Sequence, residues 1–152
     1  MVEFAIVLPV LLAVAFVGLE FSRAMRVKQI AQTISRESAS VAFRECSVRT
    51  GPRTTDCLNR IRADILNLLA YPGATLVLSM YDFNGTIRAF GPAGGSTRFT
   101  MGQLNTLGNP VGDLIRSHRM IVVAEVEVPY ATVLPNLSFS LGSNNFYDAT
   151  VL

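Results

Sequence analysis

The chain has 152 residues, half of them hydrophobic and only 16% charged, with a formal net charge of +2. That is the length of one ordinary domain, and so small a charge gives no case for nucleic acid. The basic residues crowded into the first half (Arg23, Arg26, Lys28, Arg36, Arg44, Arg49, Arg53, Arg60 and Arg62) are not interleaved with aromatic stacking partners, and read as a solvated or lipid-headgroup-facing surface.

Much of the hydrophobic excess sits at the start, in MVEFAIVLPVLLAVAFVGLEFSRAM. Glu3 is followed by sixteen uncharged, mostly apolar positions from Phe4 to Leu19, and then by Glu20. A secretory signal peptide has a basic n-region and a small-residue cleavage site. Here the n-region carries Glu3, and the sequence after Leu19 keeps helical periodicity, so the segment is expected to be retained. Sixteen residues span about 24 Å as a helix, somewhat short of a hydrocarbon layer of about 30 Å unless the ends snorkel or the bilayer thins.

Beyond Gly18 the apolar positions become periodic. Ala24, Val27, Ile30 or Ala31, Ile34, Ser38 and Val41 recur at steps of three and four, with Arg23, Arg26, Lys28, Arg36 and Glu37 elsewhere around the wheel. The pattern predicts one helix from about residue 2 to about residue 44, roughly 65 Å long, passing from one solvent to another. Pro9 lacks an amide donor and should kink or open it locally, and Gly18 is a second soft point. Glu3 is costly beside an apolar phase unless paired, and reads either as a contact residue or as a plain interfacial carboxylate at the water boundary.

The run VEFAIVLPVLLAVAFVGLEFSR, about 22 residues, has Glu-Phe before an apolar stretch with Leu-Pro, closed by Gly18, Glu20, Phe21 and Arg23. It resembles the N-terminus of TadE-like proteins, the minor pilins or pseudopilins of tight-adherence pilus systems related to type IV pili. The resemblance implies an assembly helix that is first held in the inner membrane and then packed among other pilins in a filament. It also implies a prepilin peptidase that cuts a short basic leader after a glycine, and an assembly platform. Glu3 would meet the N-terminal amine of a neighbouring subunit, with Phe4, Pro9, Gly18, Glu20 and Arg23 as further assembly contacts. The sequence begins two residues ahead of Glu3, where the family usually has four.

Cys46 and Cys57, with ten residues between them, favour a disulfide in an oxidising compartment over a metal site, since no second ligand pair accompanies them and His118 is far along the chain. Closing that loop is worth roughly 2–3 kcal/mol by chain entropy. The Gly51-Pro52 loop ends the first helix. A second helix is expected from about Thr55 to Ala70, capped by Thr54 or Thr55, with Leu58, Ile61, Ile65 and Leu68 or Leu69 on one face. ATLVLSMYDFNGTIRAFGP predicts a hairpin with Asn84-Gly85 in a type I′ turn.

Residues 91 to 112 look mostly like loop, with short helical turns around Met101 to Leu107 or Val111 to Arg116, and Gly94-Gly95 as a flexible connection. RMIVVAEVEVPYATVL predicts a long strand with Val122, Ala124, Val126 and Val128 inward and Val123, Glu125 and Glu127 on a solvated face; Pro129 and Pro135 suggest an edge strand or a bulge. A final strand pair is expected around Ser143-Asn144-Asn145. The expected fold class is α+β: a long N-terminal hydrophobic, pilin-like helix, then a second helix packed on a small antiparallel sheet of three to five strands. Residues 1–45 are expected to form the membrane and filament-core helix that the resemblance implies, and residues 46–152 an extracytoplasmic domain.

Enzyme chemistry finds little footing. Glu125 and Glu127 stand about 7 Å apart on one strand face, as glycoside acid/base pairs can, but no pocket residues can be named around them. His118 has no convincing nucleophile, and Asp82-x-Asn84-Gly85 falls short of a calcium loop. No cofactor, metal or nucleic acid is expected. The function expected is a structural subunit of a Tad-type pilus, assembling as homo-oligomer or with other pilins, at the inner membrane and in the extracellular filament. The rival is a membrane-tethered binding domain that contacts a ligand through residues 91 to 112.

Overall fold

The computed structural model describes residues 2–48, 51–69, 71–131 and 145–152, with side chains from Val7 onward. Its elements run α1 (Val2–Cys46), α2 (Pro52–Leu69), β1 (Thr75–Phe83), β2 (Ile87–Ala93), α3 (Met101–Asn105), α4 (Pro110–His118), β3 (Met120–Pro129) and β4 (Asn145–Val151). The described strands pair antiparallel in one sheet, ordered β2-β1-β3-β4, so the architecture is α+β.

Helix α1 is 45 residues long, about 67 Å, and stays helical through Pro9 and Gly18. Its C-terminal half is part of the domain. Ala24, Val27, Ala31, Ile34, Ala39, Ala42 and Cys46 are buried along the stripe that faces the sheet. The alanines let the helix approach closely, and the polar members of the stripe are satisfied locally or across to β4. Ser38 Oγ donates to the Ile34 carbonyl at 2.5 Å. Ser35 Oγ lies 2.8 Å from Thr150 Oγ1 and donates to the Asp148 carboxylate. These bonds set the helix's register on the edge strand, because a buried hydroxyl without a partner would cost about 1–3 kcal/mol.

Helix α2 starts at Pro52 rather than Thr55. Proline is favoured in the first helical turn, where its missing N–H has no partner to lose, and Thr54 N–H instead donates to the Gly51 carbonyl at 3.0 Å. Leu58 and Ile61 are buried and Leu69 packs against the core, while Leu68 points to solvent. The sulfurs of Cys46 and Cys57 are 2.10 Å apart, joining the end of α1 to the second turn of α2.

The hairpin β1–β2 closes with Phe83 opposite Ile87, leaving a three-residue connection, Asn84 to Thr86, in place of the two-residue turn expected. Only Gly85 in it takes a positive φ (79°), as three-residue hairpin loops with one left-handed position do. Strand β3 is interior, between β1 and β4, and not an edge strand. Pro129 occupies its last position, where a missing donor does not interrupt the ladder. The expected terminal strand pair reduces to β4 among the described residues; Pro135, Ser143 and Asn144 lie outside them.

Both faces of the sheet are covered. Leu76, Leu78, Met80, Val122, Ala124, Val126 and Val128 pack under α1 and α2. On the opposite face Tyr81, Ile87, Ile121 and Val123 pack with Leu104 of α3 and Ile115 of α4. Residues 91 to 112 are therefore a second covering layer more than a loop. Asn109 caps α4 by accepting from the Val111 and Gly112 amides at 3.0 and 3.2 Å. Gly94 is no flexible connection either. A Cβ there would sit 1.9 Å from Arg62 Nε, which itself donates to the Leu76 carbonyl at 2.9 Å.

Glu125 overturns the expectation of a solvated face, being only 4% exposed. The stretch before α3 folds over it: Thr97 Oγ1 donates to Oε2, the Arg98 amide donates to Oε1 at 3.0 Å, and Tyr147 of β4 donates to Oε1 at 2.8 Å. The Arg98 guanidinium stacks 3.8 Å above the Tyr147 ring. Burial, and then the bond to Glu125, push the Tyr147 phenol well above its ordinary range. Removing the acceptor strands three donors at once, so Glu125→Ala should lower stability by about 2–4 kcal/mol, against less than about 1 kcal/mol for Glu127→Ala. Chemical denaturation of the detergent-solubilised chain, followed by near-ultraviolet circular dichroism, measures both.

Candidate functional site

The residues singled out for assembly fall on α1, and the structure divides them. The side chains of Glu3 and Phe4 lie outside the described residues. Pro9 and Gly18 belong to a continuous exposed stretch, in which every large apolar side chain from Val7 to Leu19 is 42–66% exposed. Among the described residues this is the single helix long and apolar enough to cross a membrane, and its most apolar window is 6% buried. A Cβ on Gly18 would meet nothing within 4 Å, so the chain's own packing does not require glycine there. Ser22 Oγ donates back to the Gly18 carbonyl at 2.9 Å, a bond that favours a local bend.

Glu20 and Arg23 stand where this surface ends. Glu20 is half-buried because the chain leaving β3 crosses it: Tyr130 donates its hydroxyl to Glu20 Oε2 at 2.5 Å and lies 3.2 Å from the Glu20 carbonyl. That hydrogen bond, helped by partial burial and the charge on Glu20, raises the Tyr130 pKa above its ordinary value. Tyr130 is braced in turn by an edge-to-face contact with Phe146, ring centroids 5.6 Å apart. Above Glu20, Arg23 and Arg26 border an open cleft of about 480 Å³ between α1, the Tyr71-Pro72 turn and Pro129-Tyr130. Tyr130 had no sequence signal beyond its place at the end of a strand, because what joins it to Glu20 is a contact across more than one hundred residues.

Among the described residues the pattern of exposure separates a packed domain, which includes the upper half of α1, from a lower stretch of α1 that it does not cover, and the first forty residues carry the comparison that fits it. Residues 1–40 match the family model of TadE-like proteins. The match runs through the uncovered stretch, past Glu20 and Arg23, and into the part of α1 that packs on the sheet. It spans about a quarter of the chain, so the TadE-like assignment describes the N-terminal helix. No curated protein and no solved structure matches the chain.

Elsewhere the described residues hold no group of three or more His, Cys, Asp or Glu placed to bind a metal ion. His118 is exposed at the end of α4, its Nδ1 2.8 Å from Ser117 Oγ. Glu125 and Glu127 diverge: the first is enclosed by donors, the second accepts from Asn145 Nδ2 at 2.6 Å at the sheet edge.

The Tyr130 bond should hold the helix against the domain at the boundary. In Tyr130→Phe, amide exchange across Glu20 to Arg23 should quicken by about fivefold, the equivalent of one net hydrogen bond, while Ala31 to Ala42 keep wild-type protection. Since a raised phenol pKa keeps the donor in place below pH ~10 and loses it as the pH rises beyond, wild type should approach the variant only in alkali.

Proposed function

We propose that the chain is a pilin-like structural subunit of a Tad-type pilus, held in the inner membrane by α1 and then assembled, through the same helix, with copies of itself or with other pilins. The observation that carries this reading is the row of uncovered apolar side chains from Val7 to Leu19, on a helix whose other half is built into a closed core. Exposed apolar surface so extensive and continuous needs a second covering medium. The eleven Leu, Ile, Val and Phe residues between Phe4 and Leu19 favour insertion by at most roughly 3–7 kcal/mol, enough for membrane residence yet small enough to be exchanged for protein packing during extrusion.

The TadE-like match over residues 1–40 supports the same reading, and the Cys46–Cys57 disulfide suits a domain on the oxidising side of the membrane. Processing by a prepilin peptidase and engagement of an assembly platform follow from the same proposal. A tethered ligand-binding domain draws less support. Its expected contact loop, residues 91 to 112, spends Thr97, Arg98 and Leu104 on the domain's own interior.

Glu3 is the residue on which assembly turns. A carboxylate entering an apolar filament core costs several kcal/mol unless a cation meets it, and the N-terminal amine of a neighbour would supply one. Glu3→Ala is expected to abolish piliation, counted by electron microscopy, while the protein stays in the membrane fraction at its normal level. Normal piliation in that variant would sink the role given to Glu3.

A further inference from the structure

The cleft at the foot of the domain carries an inference beyond assembly. Arg23 and Arg26 are three residues apart and share a helix face with Val27 and Ile30, which form the cleft's apolar floor, while Tyr71 and Tyr130 stand opposite. The walls are built of packed parts. Gly73 comes so close to Pro129 that a Cβ would lie 3.1 Å from its Cγ, and Tyr130 rests on Phe146.

Depth along the helix identifies the occupant's surroundings. Arg23 and Arg26 lie about 6 and 10 Å beyond Leu19 along the axis, and each headgroup layer of a bilayer is about 5–8 Å thick. With Leu19 at the edge of the hydrocarbon, the backbone of Arg23 is inside the headgroup layer and that of Arg26 a few ångströms outside it, within reach of its long side chain. Neither arginine forms an ion pair among the described residues, whereas the one nearby carboxylate, Glu20, accepts from Tyr130. Two guanidinium groups above an apolar floor fit a phosphate with its glycerol attached, because each can present paired N–H donors to phosphate oxygens and the tyrosines tolerate both media.

We propose that this cleft holds the phosphate-bearing headgroup of an anionic phospholipid, fixing the depth and tilt at which the subunit rests before assembly. The proposal builds on the membrane reading of α1. A carboxylate from a neighbouring protein is the competing occupant, and free phosphate the competing source.

The test is native mass spectrometry of the full chain in mild detergent, with equal amounts of phosphatidylglycerol and phosphatidylcholine added. Wild type should retain phosphatidylglycerol about tenfold over phosphatidylcholine, Arg23→Gln/Arg26→Gln should lose that preference, and Arg36→Gln, on the exposed helix above, should keep it. Arg23→Lys/Arg26→Lys, which keeps the charges, should retain part of it, and millimolar inorganic phosphate should not displace the lipid. Equal retention of both lipids by wild type, an unchanged preference in the double glutamine variant, displacement by phosphate, or retention of a protein partner in place of lipid would each overturn the proposal. Carbonate extraction of native membranes reads insertion separately: release of the chain would count against the membrane reading, and the lipid preference in detergent is scored regardless.

Discussion

The rest of the structure depends on α1 being one rigid element shared between two environments. Its upper half is a wall of the domain's core, with Ala31, Ala39 and Ala42 against the sheet and Ser35 bonded to Asp148 and Thr150. Its lower half, Val7 to Leu19, is left exposed by the described residues of the domain. A helix satisfies its own backbone hydrogen bonds, so it is the form in which such a stretch can pass from lipid to a protein interior without unpaired polar groups. Because the same helix belongs to both halves, a force or a packing choice at its lower end is delivered directly to the domain.

That arrangement explains the reinforcement around the point of emergence and at the top. The Cys46–Cys57 bond fastens the last turn of α1 to α2, and Tyr130 fastens Glu20 to the end of the central strand β3. Between these two ties the helix lies on the sheet. On the far face the buried Glu125 collects Thr97, the Arg98 amide and Tyr147, so that the stretch after β2, the central strand and the edge strand are held by one carboxylate. A buried charge with several donors fixes geometry more than it adds stability, and here the geometry fixed is the closure of the second layer over the sheet.

Much of this was legible where periodicity and residue chemistry act locally. The switch from a continuous apolar run to steps of three and four located the end of the uncovered surface near Gly18 to Glu20, and Leu58, Ile61 and Asn84-Gly85 placed the second helix and the hairpin. What was missed depends on contacts distant in sequence. The alternation of Val123, Glu125 and Glu127 reads as a wet face until the stretch ending at Phe99 folds over it. The glycines and threonines of residues 94 to 100 read as loose chain until Arg62 and Glu125 are seen to need them there. Tyr130 looked like the tail of a strand, because its partner Glu20 is supplied by the other end of the molecule. Pro129 suggested an edge because composition does not say which end of a strand a proline will occupy.

The central claim is that the surface from Val7 to Leu19 is covered first by lipid and then by other pilus subunits. Its most direct test places a photo-crosslinking amino acid at Val14, the most exposed of the large apolar side chains there, in cells that assemble the pilus and in cells whose assembly platform is inactive. The account predicts protein adducts between pilus subunits only in the assembling cells, and protection by the membrane without such adducts in the others. Equal adducts in both, or none in assembling cells, would contradict it.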